Sequence, residues 1–323
     1  MTILIITHSQ DNQCIDRVMD AIIAYGGKSC FRFNSDRFPT EIHLDVYYGG
    51  KEERHVITDG NHHVDLNEVS AVWYRRVAIG AKIPETMNSQ LRDASLGESR
   101  ATFQGMLASI RGFHLDPLEN VRRAENKQLQ LQVARDFGLN IPRTLISNNP
   151  ATVRKFAAEC NYQIVTKTLS SFAIYNSKGE DQVVFTNPVT REDLENLDGL
   201  QFCPMTFQEN IPKALELRVT IVGNQIFTAA VDSQVMKEAE SDWRKKGLAL
   251  INSWQEYQLP EDVETKLLQL MRYFGLNYGA IDIILTPDGK YYFLEVNPVG
   301  EFFWLEHNPG FKISQSIAQL LLK

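Results

Sequence analysis

The residues 278–301, YGAIDIILTPDGKYYFLEVNPVGE, decide the fold of this chain. Two apolar runs, 280–285 and 291–296, flank the turn residues 287–289, which read Pro-Asp-Gly. Strand-forming residues on both sides of a turn that tolerates a tight backbone are typical of a β-hairpin. The C-terminal part of the chain is therefore predicted to contain an antiparallel sheet.

Three polar residues interrupt the apolar runs of this hairpin. Glu295 and Asn297 are two positions apart, so they point to the same face of one strand. A two-residue loop at Asp288 and Gly289 places Asp282 opposite Glu295, whereas a three-residue loop shifts the pairing by one position. Either register gathers oxygen ligands of the kind that suits Mg²⁺. The alternative is an ordinary amphipathic hairpin with a solvated face, although like charges directly opposite each other are unfavourable.

The composition bounds the class of protein. The chain has 323 residues, of which 43% are hydrophobic, so we expect two or three domains with cores of normal size. A net charge of −7 argues against a nucleic-acid binder. The four cysteines are scattered without a CxxC pair, which argues against structural zinc and favours reduced thiols. No apolar run reaches the length of a membrane span and no signal peptide is recognised, so we expect a cytoplasmic protein with no membrane partner.

The N-terminal segment is predicted to open with a βαβ unit. An apolar run at 2–7 precedes a helical pattern at 15–25 that stops at a pair of glycines, and a second strand-like run follows at 29–33. The segment lacks the GxGxxG fingerprint, so no dinucleotide site is predicted there. Pro117 interrupts the pattern of predicted elements and sets the predicted end of this N-terminal α/β domain. The resulting division is 1–118, then a central segment 119–200, then a C-terminal segment 201–323.

Two isolated lysines occupy separate predicted elements of the central segment. Lys127 lies in the first turns of a helix predicted over 124–137, where a surface lysine is the ordinary interpretation. Lys167 lies inside the apolar strand 163–168, and a buried lysine needs a partner, for which an anion is one candidate. Both are candidates for contact with a negatively charged ligand.

A second hairpin is predicted at 216–222 and 225–231, around Gly223 and Asn224. Its first strand places Glu216, Arg218 and Thr220 on one face. The two charged residues are candidates for a site, and the alternative is an ion pair between them.

The order of these features, K…K…QENI…ELRV…GAIDI…FLEVNP, resembles the ATP-grasp superfamily over about residues 120–323. Within it, the chain is similar to the branch that contains the ribosomal-protein-modifying glutamate ligases. Four segments further resemble the macrocyclases of microviridin biosynthesis, the graspetide ligases: VWYRR (72–76), KQLQLQVARDFGL (127–139), LQFCPMTFQENIPKALELRVTIVG (200–223) and EVNPVGEFFWLE (295–306). The resemblance implies a mixed α/β (α+β) ATP-grasp fold with a βαβ-type N-terminal domain, a small central domain and a C-terminal antiparallel-sheet domain.

The resemblance also implies ATP and Mg²⁺, with two metal ions, and a role for each candidate residue. Lys127 and Lys167 would contact the phosphates. The segment that carries Gln208, Glu209 and Ile211 would pair with adenine, and Glu216 with the ribose. Arg218 would stabilise charge on the transferred phosphoryl group, and the metal ligands would be Asp282, Glu295 and Asn297.

The implied reaction is ADP-forming. A side-chain carboxylate of a ribosomal precursor peptide becomes an acyl phosphate, and a Thr or Ser hydroxyl of the same peptide closes an ω-ester ring. Three alternatives stay open: an ω-amide-forming cyclase, a glutamate or amino-acid ligase of the same superfamily, and an inactive ATP-binding regulatory protein.

The family binds its precursor through a helical leader peptide that carries aromatic residues and an arginine. The candidates for docking that arginine are Glu192, Asp193 and Asn196, and the alternative is a solvated face. Leader binding is expected to order a hairpin or flap at 169–187. By analogy with relatives, a homodimer is expected.

One position departs from the family pattern. Many ATP-grasp ligases carry an arginine two residues before the first metal-binding aspartate, and Ala280 stands there in this chain. Arg218 is then the remaining arginine on this sheet, with Arg75, Arg76 or Arg244 as candidate substitutes.

Overall fold

The structure, a computed structural model, describes residues 2–26, 29–169, 173–175, 181–183, 186–235 and 250–323. Within these ranges the chain is a mixed α/β protein with several sheets, which confirms the predicted fold class. No helix in these ranges combines the length and the apolar character needed to cross a membrane.

The N-terminal region contains a parallel sheet and a small antiparallel sheet. Its elements are β1 (Thr2–Thr7), α1 (Cys14–Gly26), β2 (Ser29–Asn34), β3 (Ile42–Gly49), β4 (Glu52–Asp59), β5 (His62–Asp65), β6 (Val69–Tyr74), α2 (Ser89–Ser109) and β7 (Phe113–Leu115). The parallel sheet has the order β2-β1-β6-β7, and β3, β4 and β5 pair in sequence. The predicted βαβ opening is confirmed, because β1 and β2 pair in parallel on either side of α1.

The carboxyl ends of β1 and β6 meet at the point where the strand order of the parallel sheet reverses. In open α/β sheets, side chains beyond the strand ends at such a point face a crevice. Here Asp11 follows β1, and Arg75 and Arg76 follow β6. These residues reappear below, because they contact the C-terminal region.

The middle region is built on a second sheet. Its elements are α3 (Leu118–Ala124), α4 (Lys127–Asp136), β8 (Thr144–Ser147), α5 (Pro150–Glu159), β9 (Ile164–Lys167), β10 (Ala173–Tyr175), β11 (Asp181–Val183), β12 (Asn187–Pro188), α6 (Arg191–Glu195) and β13 (Met205–Glu209). The sheet order is β12-β9-β13-β8, and β10 pairs antiparallel with β11. The predicted hairpin at 169–187 is therefore present as two short strands, while 170–172, 176–180 and 184–185 lie outside the described residues.

The single helix predicted over 124–137 is wrong in one respect, because the helix is interrupted at Asn126. The side chain of Asn126 accepts a hydrogen bond of 2.9 Å from the backbone N–H of Leu129 and so caps a new helix. Helix α3 ends at Ala124, and Lys127 is the first residue of α4. The cap fixes the direction in which Lys127 leaves the helix.

The C-terminal region is a five-stranded antiparallel sheet with helices. Its elements are β14 (Leu215–Val222), β15 (Gln225–Val231), β16 (Gln255–Glu256), α7 (Glu261–Phe274), β17 (Tyr278–Leu285), β18 (Tyr291–Asn297), α8 (Phe303–His307) and α9 (Ile313–Leu321). The order is β16-β15-β14-β17-β18, so both predicted hairpins are confirmed. Helix α7 buries Leu267, Leu270 and Phe274 against the sheet face that carries Val219 and Ile281. The opposite face of the sheet holds the polar residues.

A β-bulge sets the register of the hairpin β17–β18. Leu285 pairs with Tyr291, which is the register of a three-residue loop, and Gly289 takes a φ of +79° in that loop. The register then shifts between Asp282 and Ile283, so that Leu294 is the extra residue and Asp282 pairs with Glu295. The loop shifts the pairing by one residue and the bulge restores it.

The sheet to which a strand belongs changes between β13 and β14. Strand β13 pairs with β8 and β9 of the middle region, whereas β14 pairs with β15 and β17. The segment between the two sheets is thus 210–214, further along the chain than the position 200 at which the sequence division separates them. The division into three domains itself stays a prediction.

Candidate active site

A cleft lies between the middle sheet and the polar face of the C-terminal sheet. Strands β9 and β13 supply one wall, and β14, β17 and β18 supply the other. Seven of the residues predicted from the sequence line this cleft: Lys167, Gln208, Glu209, Ile211, Glu216, Asp282 and Glu295. The arrangement brings together residues that are more than 120 positions apart in the chain.

The first wall is fixed by strand pairing. Lys167 pairs with Thr206 and Val165 pairs with Gln208, so these four residues share one face of the middle sheet. The amide of Gln208 donates a 2.9 Å hydrogen bond to Oγ1 of Thr144, and Gln208 is buried. Gln208 is therefore held by the sheet beneath the cleft.

The carboxylate of Glu209 is engaged by an arginine. Arg143 donates to it through Nε and Nη2, each at 3.0 Å, and this pair of bonds lowers the pKa of Glu209. The backbone N–H of Glu209 donates to the carbonyl of Arg143, and that of Asn210 donates to the carbonyl of Gln163. The next residue along the cleft is Ile211, which is buried.

Glu216 pairs with a lysine that the sequence analysis did not single out. Nζ of Lys213 lies 3.0 Å from Oε1 of Glu216, and both side chains are largely buried. The alternative of an ion pair between Glu216 and Arg218 is wrong, because Arg218 has another partner. The signal for Lys213 was its position in the bend that joins two strands of the predicted site.

Arg218 and Asp282 face each other across adjacent strands. They are paired residues of β14 and β17, and Nη1 of Arg218 lies 2.7 Å from Oδ1 of Asp282. The guanidinium also lies 5.4 Å from the ring centre of Trp304. Burial opposes the charge of Arg218, but nearby negative groups, with Asp282 first among them, together outweigh it, and the pKa of the arginine lies above its usual value. Arg218 is a fixed positive charge beneath the cleft.

Lys127 reaches the end of β18. Its Nζ lies 3.1 Å from Oε2 of Glu295, 3.2 Å from Oδ1 of Asn297 and 3.4 Å from the carbonyl of Val296. The amide of Asn297 in turn donates a 3.0 Å bond to Oε1 of Glu295. The interpretation of Lys127 as an ordinary surface lysine is wrong, since its side chain is 18% exposed and faces the candidate metal ligands.

These oxygens fit a hard cation. Within the described ranges, no group of three His, Cys, Asp or Glu side chains is placed to hold a metal ion. The set on β17 and β18 is of another composition, two carboxylates and one amide oxygen, and Mg²⁺ usually takes one or two carboxylates and completes its shell with phosphates and water. The ammonium of Lys127 already stands beside Glu295 and Asn297, which shows that these oxygens accept a positive charge.

Comparison with known families identifies the fold. The RimK-like ATP-grasp domain matches residues 124–321, and the MvdD pre-ATP grasp domain matches residues 2–122. The chain belongs to the ATP-grasp family. The predicted resemblance is thus confirmed, and the two matches meet near the segment around Pro117. No curated protein sequence matches the chain.

Three solved structures show which ATP-grasp proteins are similar to this one. The macrocyclase MdnC bound with precursor peptide MdnA, from Microcystis aeruginosa MRC, is 59% identical over 100% of this chain and 99% of that one, with a TM-score of 0.91. A RiPP-associated ATP-grasp ligase from Chryseobacterium gregarium, in complex with ADP and a leader and core peptide, is 40% identical over 99% and 96%, with a TM-score of 0.94. The macrocyclase MdnB from Microcystis aeruginosa MRC is 36% identical over 99% of both chains, with a TM-score of 0.84.

The position of Ala280 in this ATP-grasp chain has a steric explanation. Ala280 is fully buried, and a Cβ added to Gly300 would lie 2.4 Å from its side chain. The loop after β18 therefore leaves no room for a larger residue at position 280. Arg75 and Arg76 do reach this loop, whereas Arg244 lies outside the described residues.

The candidate leader-binding residues lie on and just after α6, away from the cleft. Oδ2 of Asp193 accepts bonds of 2.8 and 2.7 Å from the backbone and the hydroxyl of Thr190, which forms a capping box. Asn196 donates a 3.2 Å bond to the carbonyl of Glu192. The side chain of Asp193 is therefore committed to the helix start, and Glu192 is exposed.

Besides Lys213, sequence reasoning missed two further residues that shape the ATP-grasp site. Gln130 is fully buried, and its side chain exchanges bonds of 2.9 and 2.8 Å with the backbone N–H and carbonyl of Val296. It lies one helical turn after Lys127, a spacing that could have revealed it. Leu294 lines the cleft because of the bulge, and no sequence signal marks that bulge.

Proposed function

We propose that this ATP-grasp chain is an ADP-forming ligase that closes macrocycles in a ribosomal precursor peptide of the microviridin type. The observation that carries the proposal is the cleft, in which Lys167, Glu216, Asp282 and Glu295 converge. Support comes from full-length similarity to a macrocyclase whose structure contains a precursor peptide, and to a ligase whose structure contains ADP, leader and core.

The cleft offers separate surfaces for the parts of ATP. Since the N–H groups of Glu209 and Asn210 donate within the protein, we assign the adenine contact to the backbone at Ile211. Glu216, near the start of β14, is the ribose ligand. Lys127 and Lys167 neutralise the phosphates, since phosphoryl transfer depends mainly on positioning and on charge neutralisation.

Asp282, Glu295 and Asn297 are the proposed ligands of two Mg²⁺. When bound, the metal supplies Lewis-acid polarisation of the phosphate oxygens. Arg218 is held by Asp282 at 2.7 Å, so its charge is in place before the reaction begins and needs no reorganisation.

The proposed substrate groups are an Asp or Glu carboxylate and a Thr or Ser hydroxyl of one precursor peptide. The carboxylate oxygen attacks the γ-phosphorus of ATP, which gives an acyl phosphate and ADP. The hydroxyl then attacks the acyl carbon, so that an ω-ester forms and phosphate leaves. Both groups belong to the same precursor peptide, and the enzyme lowers the barrier by holding them close and excluding water.

Recognition of the precursor is proposed to use a helical leader that docks its arginine near Glu192, Asp193 and Asn196. The protein is proposed to be a cytoplasmic homodimer that binds neither nucleic acid nor membranes.

Intact-mass spectrometry of the precursor peptide, incubated with the protein, ATP and Mg²⁺, tests this function. We expect successive losses of one water each, with ADP formed, and we expect mild base to reverse the losses because esters hydrolyse. Glu295→Gln keeps the side-chain volume but removes a negative charge from the proposed metal ligands. This variant should therefore fold normally and have no turnover.

Each other result leads to a different function. Water losses that survive base indicate amides. ATP consumption with free amino acids but no loss from the peptide indicates an amino-acid ligase. No ATP use under any of these conditions contradicts the ligase and leaves a regulatory ATP-binding protein.

A further inference from the structure

The loop that follows β18 carries Glu301, whose backbone contacts the proposed catalytic arginine. Nη2 of Arg218 donates a 3.1 Å hydrogen bond to the carbonyl of Glu301, while Nη1 of the same guanidinium pairs with Asp282. One planar group thus joins the proposed metal ligand to the backbone of Glu301. Any atom that reacts next to Arg218 is therefore near the backbone of Glu301.

The loop is held from below by buried groups. Nη1 of Arg75 donates to the carbonyls of Val299 and Gly300 at 3.3 and 3.1 Å, and the hydroxyl of Tyr278 donates to Gly300 at 2.7 Å. Arg75 and Tyr278 are both buried. The backbone before Glu301 is therefore fixed by both the N-terminal and the C-terminal region.

The side chain of Glu301 remains accessible. Its Oε1 lies 2.6 Å from Nη1 of Arg76, and the two side chains are 31% and 39% exposed. This contact holds the carboxylate in one orientation, and an accessible carboxylate can accept a proton from a bound group. The pair stands at the carboxyl end of the parallel N-terminal sheet, where such sheets bind ligands.

Other carboxylates of these two regions have different positions or partners. Asp11 has a fully buried side chain beside Arg75. Glu306 is almost buried and binds Arg17 and Ser314. Asp282, Glu295 and Glu216 are the proposed ligands of metal and ribose. Of the carboxylates compared here, Glu301 has an accessible side chain and is not a proposed ligand of the nucleotide or the metal.

We propose that Glu301 is the general base for ring closure, an inference that depends on the proposed function. As the substrate hydroxyl oxygen forms its bond to the acyl carbon, its proton moves to the Glu301 carboxylate. The bond between the acyl carbon and the phosphate oxygen breaks, and phosphate leaves with the electron pair. The protonated Glu301 then loses its proton to the departing phosphate or to water. Arg76 is the positioning residue that orients the carboxylate.

Hydroxylamine separates ring closure from activation, because it attacks acyl phosphates without a general base. We expect Glu301→Gln to lower ring closure by about 10²–10⁴-fold. In the presence of hydroxylamine, the same variant should form peptide hydroxamate and ADP at the wild-type rate. Glu301→Asp, which restores a carboxylate, should recover part of the closure. Glu256→Gln, an exposed position on β16, is the matched control and should behave as wild type.

Two results overturn the inference while leaving the ligase intact. Ring closure by Glu301→Gln at the wild-type rate shows that no base is lost. Loss of hydroxamate together with ring closure in that variant shows that Glu301 serves activation or folding. If the wild-type protein forms neither ADP nor hydroxamate with the precursor, the proposed function fails, and the general base fails with it.

Discussion

The ammonium of Lys127 lies 3.1 Å from the carboxylate of Glu295, so a proposed phosphate ligand is paired with a proposed metal ligand. The same ammonium contacts the amide oxygen of Asn297. A lysine in this position balances the negative charge of Glu295, much as Arg218 balances that of Asp282. Without such cations, two carboxylates directly opposite each other on adjacent strands would repel.

Replacement of Lys127 by methionine should change the binding of Mg²⁺ and of ATP in opposite directions. Mg²⁺ binding without nucleotide should tighten, because the competing cation is gone. ATP binding should weaken by about 10–100-fold, as expected for a lost charge-assisted bond of about 1.5–3 kcal/mol. Titration calorimetry of each ligand measures both effects.

Lys155→Met is the control for the Lys127 variant, since Lys155 is an exposed helix residue whose side chain is 80% accessible. It should leave both affinities unchanged. Weaker Mg²⁺ binding by Lys127→Met contradicts the competition between lysine and metal. Unchanged ATP binding contradicts the phosphate role.

The bulge at Leu294 predicts a residue that acts on nucleotide binding alone. Leu294 lines the cleft, so truncation to alanine removes apolar contact worth about 1–2 kcal/mol. The KM for ATP should rise about 5–30-fold with kcat nearly unchanged, because the contact is equal in the ground and transition states. Leu91→Ala, at a site that is 63% exposed, is the control in the same steady-state assay. A fall in kcat without a change in KM contradicts this assignment.

Much of the C-terminal site could be predicted because period-two patterns fix which residues share a strand face. Glu216 and Arg218 needed only this rule, and Asp282 and Glu295 needed the hairpin pairing in addition. The bulge at Leu294 could not be predicted from the sequence. The bulge and the three-residue loop shift the register in opposite directions, so their effects on the pairing cancel. The pairing of Asp282 with Glu295 is therefore correct, although the two-residue loop that would produce it is wrong.

The contacts between distant regions could not be read from local patterns. The pairing of Arg218 with Asp282 depends on which strands become neighbours, and the bonds from Arg75 to the loop before Glu301 depend on packing between regions. The break at Asn126 was visible in principle, because an asparagine that starts a helix is a common cap. An uninterrupted helical pattern over 124–137 concealed it.

Helix α6 predicts different outcomes for two neighbouring acidic residues. The carboxylate of Asp193 completes the capping box with Thr190, so Asp193→Ala should lower the melting temperature through the loss of about 1 kcal/mol. Glu192 is exposed, so Glu192→Gln should leave the melting temperature unchanged and weaken leader-peptide binding by about two- to fivefold, as for an exposed ion pair. Fluorescence anisotropy of a labelled leader gives the affinity.

Glu195→Gln, on the same helix, controls for the loss of one charge and should bind the leader as wild type does. Equal leader affinity for Glu192→Gln and wild type contradicts the docking site. An Asp193→Ala variant as stable as wild type contradicts the capping role instead, and the two results are independent.

Asp116 joins the N-terminal sheet to the start of β17. Its carboxylate accepts three bonds of 2.9 Å, from the backbone and side chain of Asn277 and from the backbone of Tyr278. Burial raises the pKa of Asp116 to about 6, although the three donors act in the opposite direction. Between pH 4 and 6, the Asp116 carboxyl is therefore protonated in the folded protein but ionised in the unfolded chain.

The stability contributed by Asp116 should be largest below pH 4 and should decrease as the pH rises through 6. A pKa raised from 3.8 to about 6 corresponds to about 3 kcal/mol of unfolding free energy lost across this interval. Asp116→Asn cannot titrate, so the stability of wild type relative to this variant should fall between pH 4 and 7. Urea unfolding at each pH measures the difference, with Asp136→Asn as an exposed control. A difference that is constant with pH, or that grows in favour of wild type, contradicts the raised pKa.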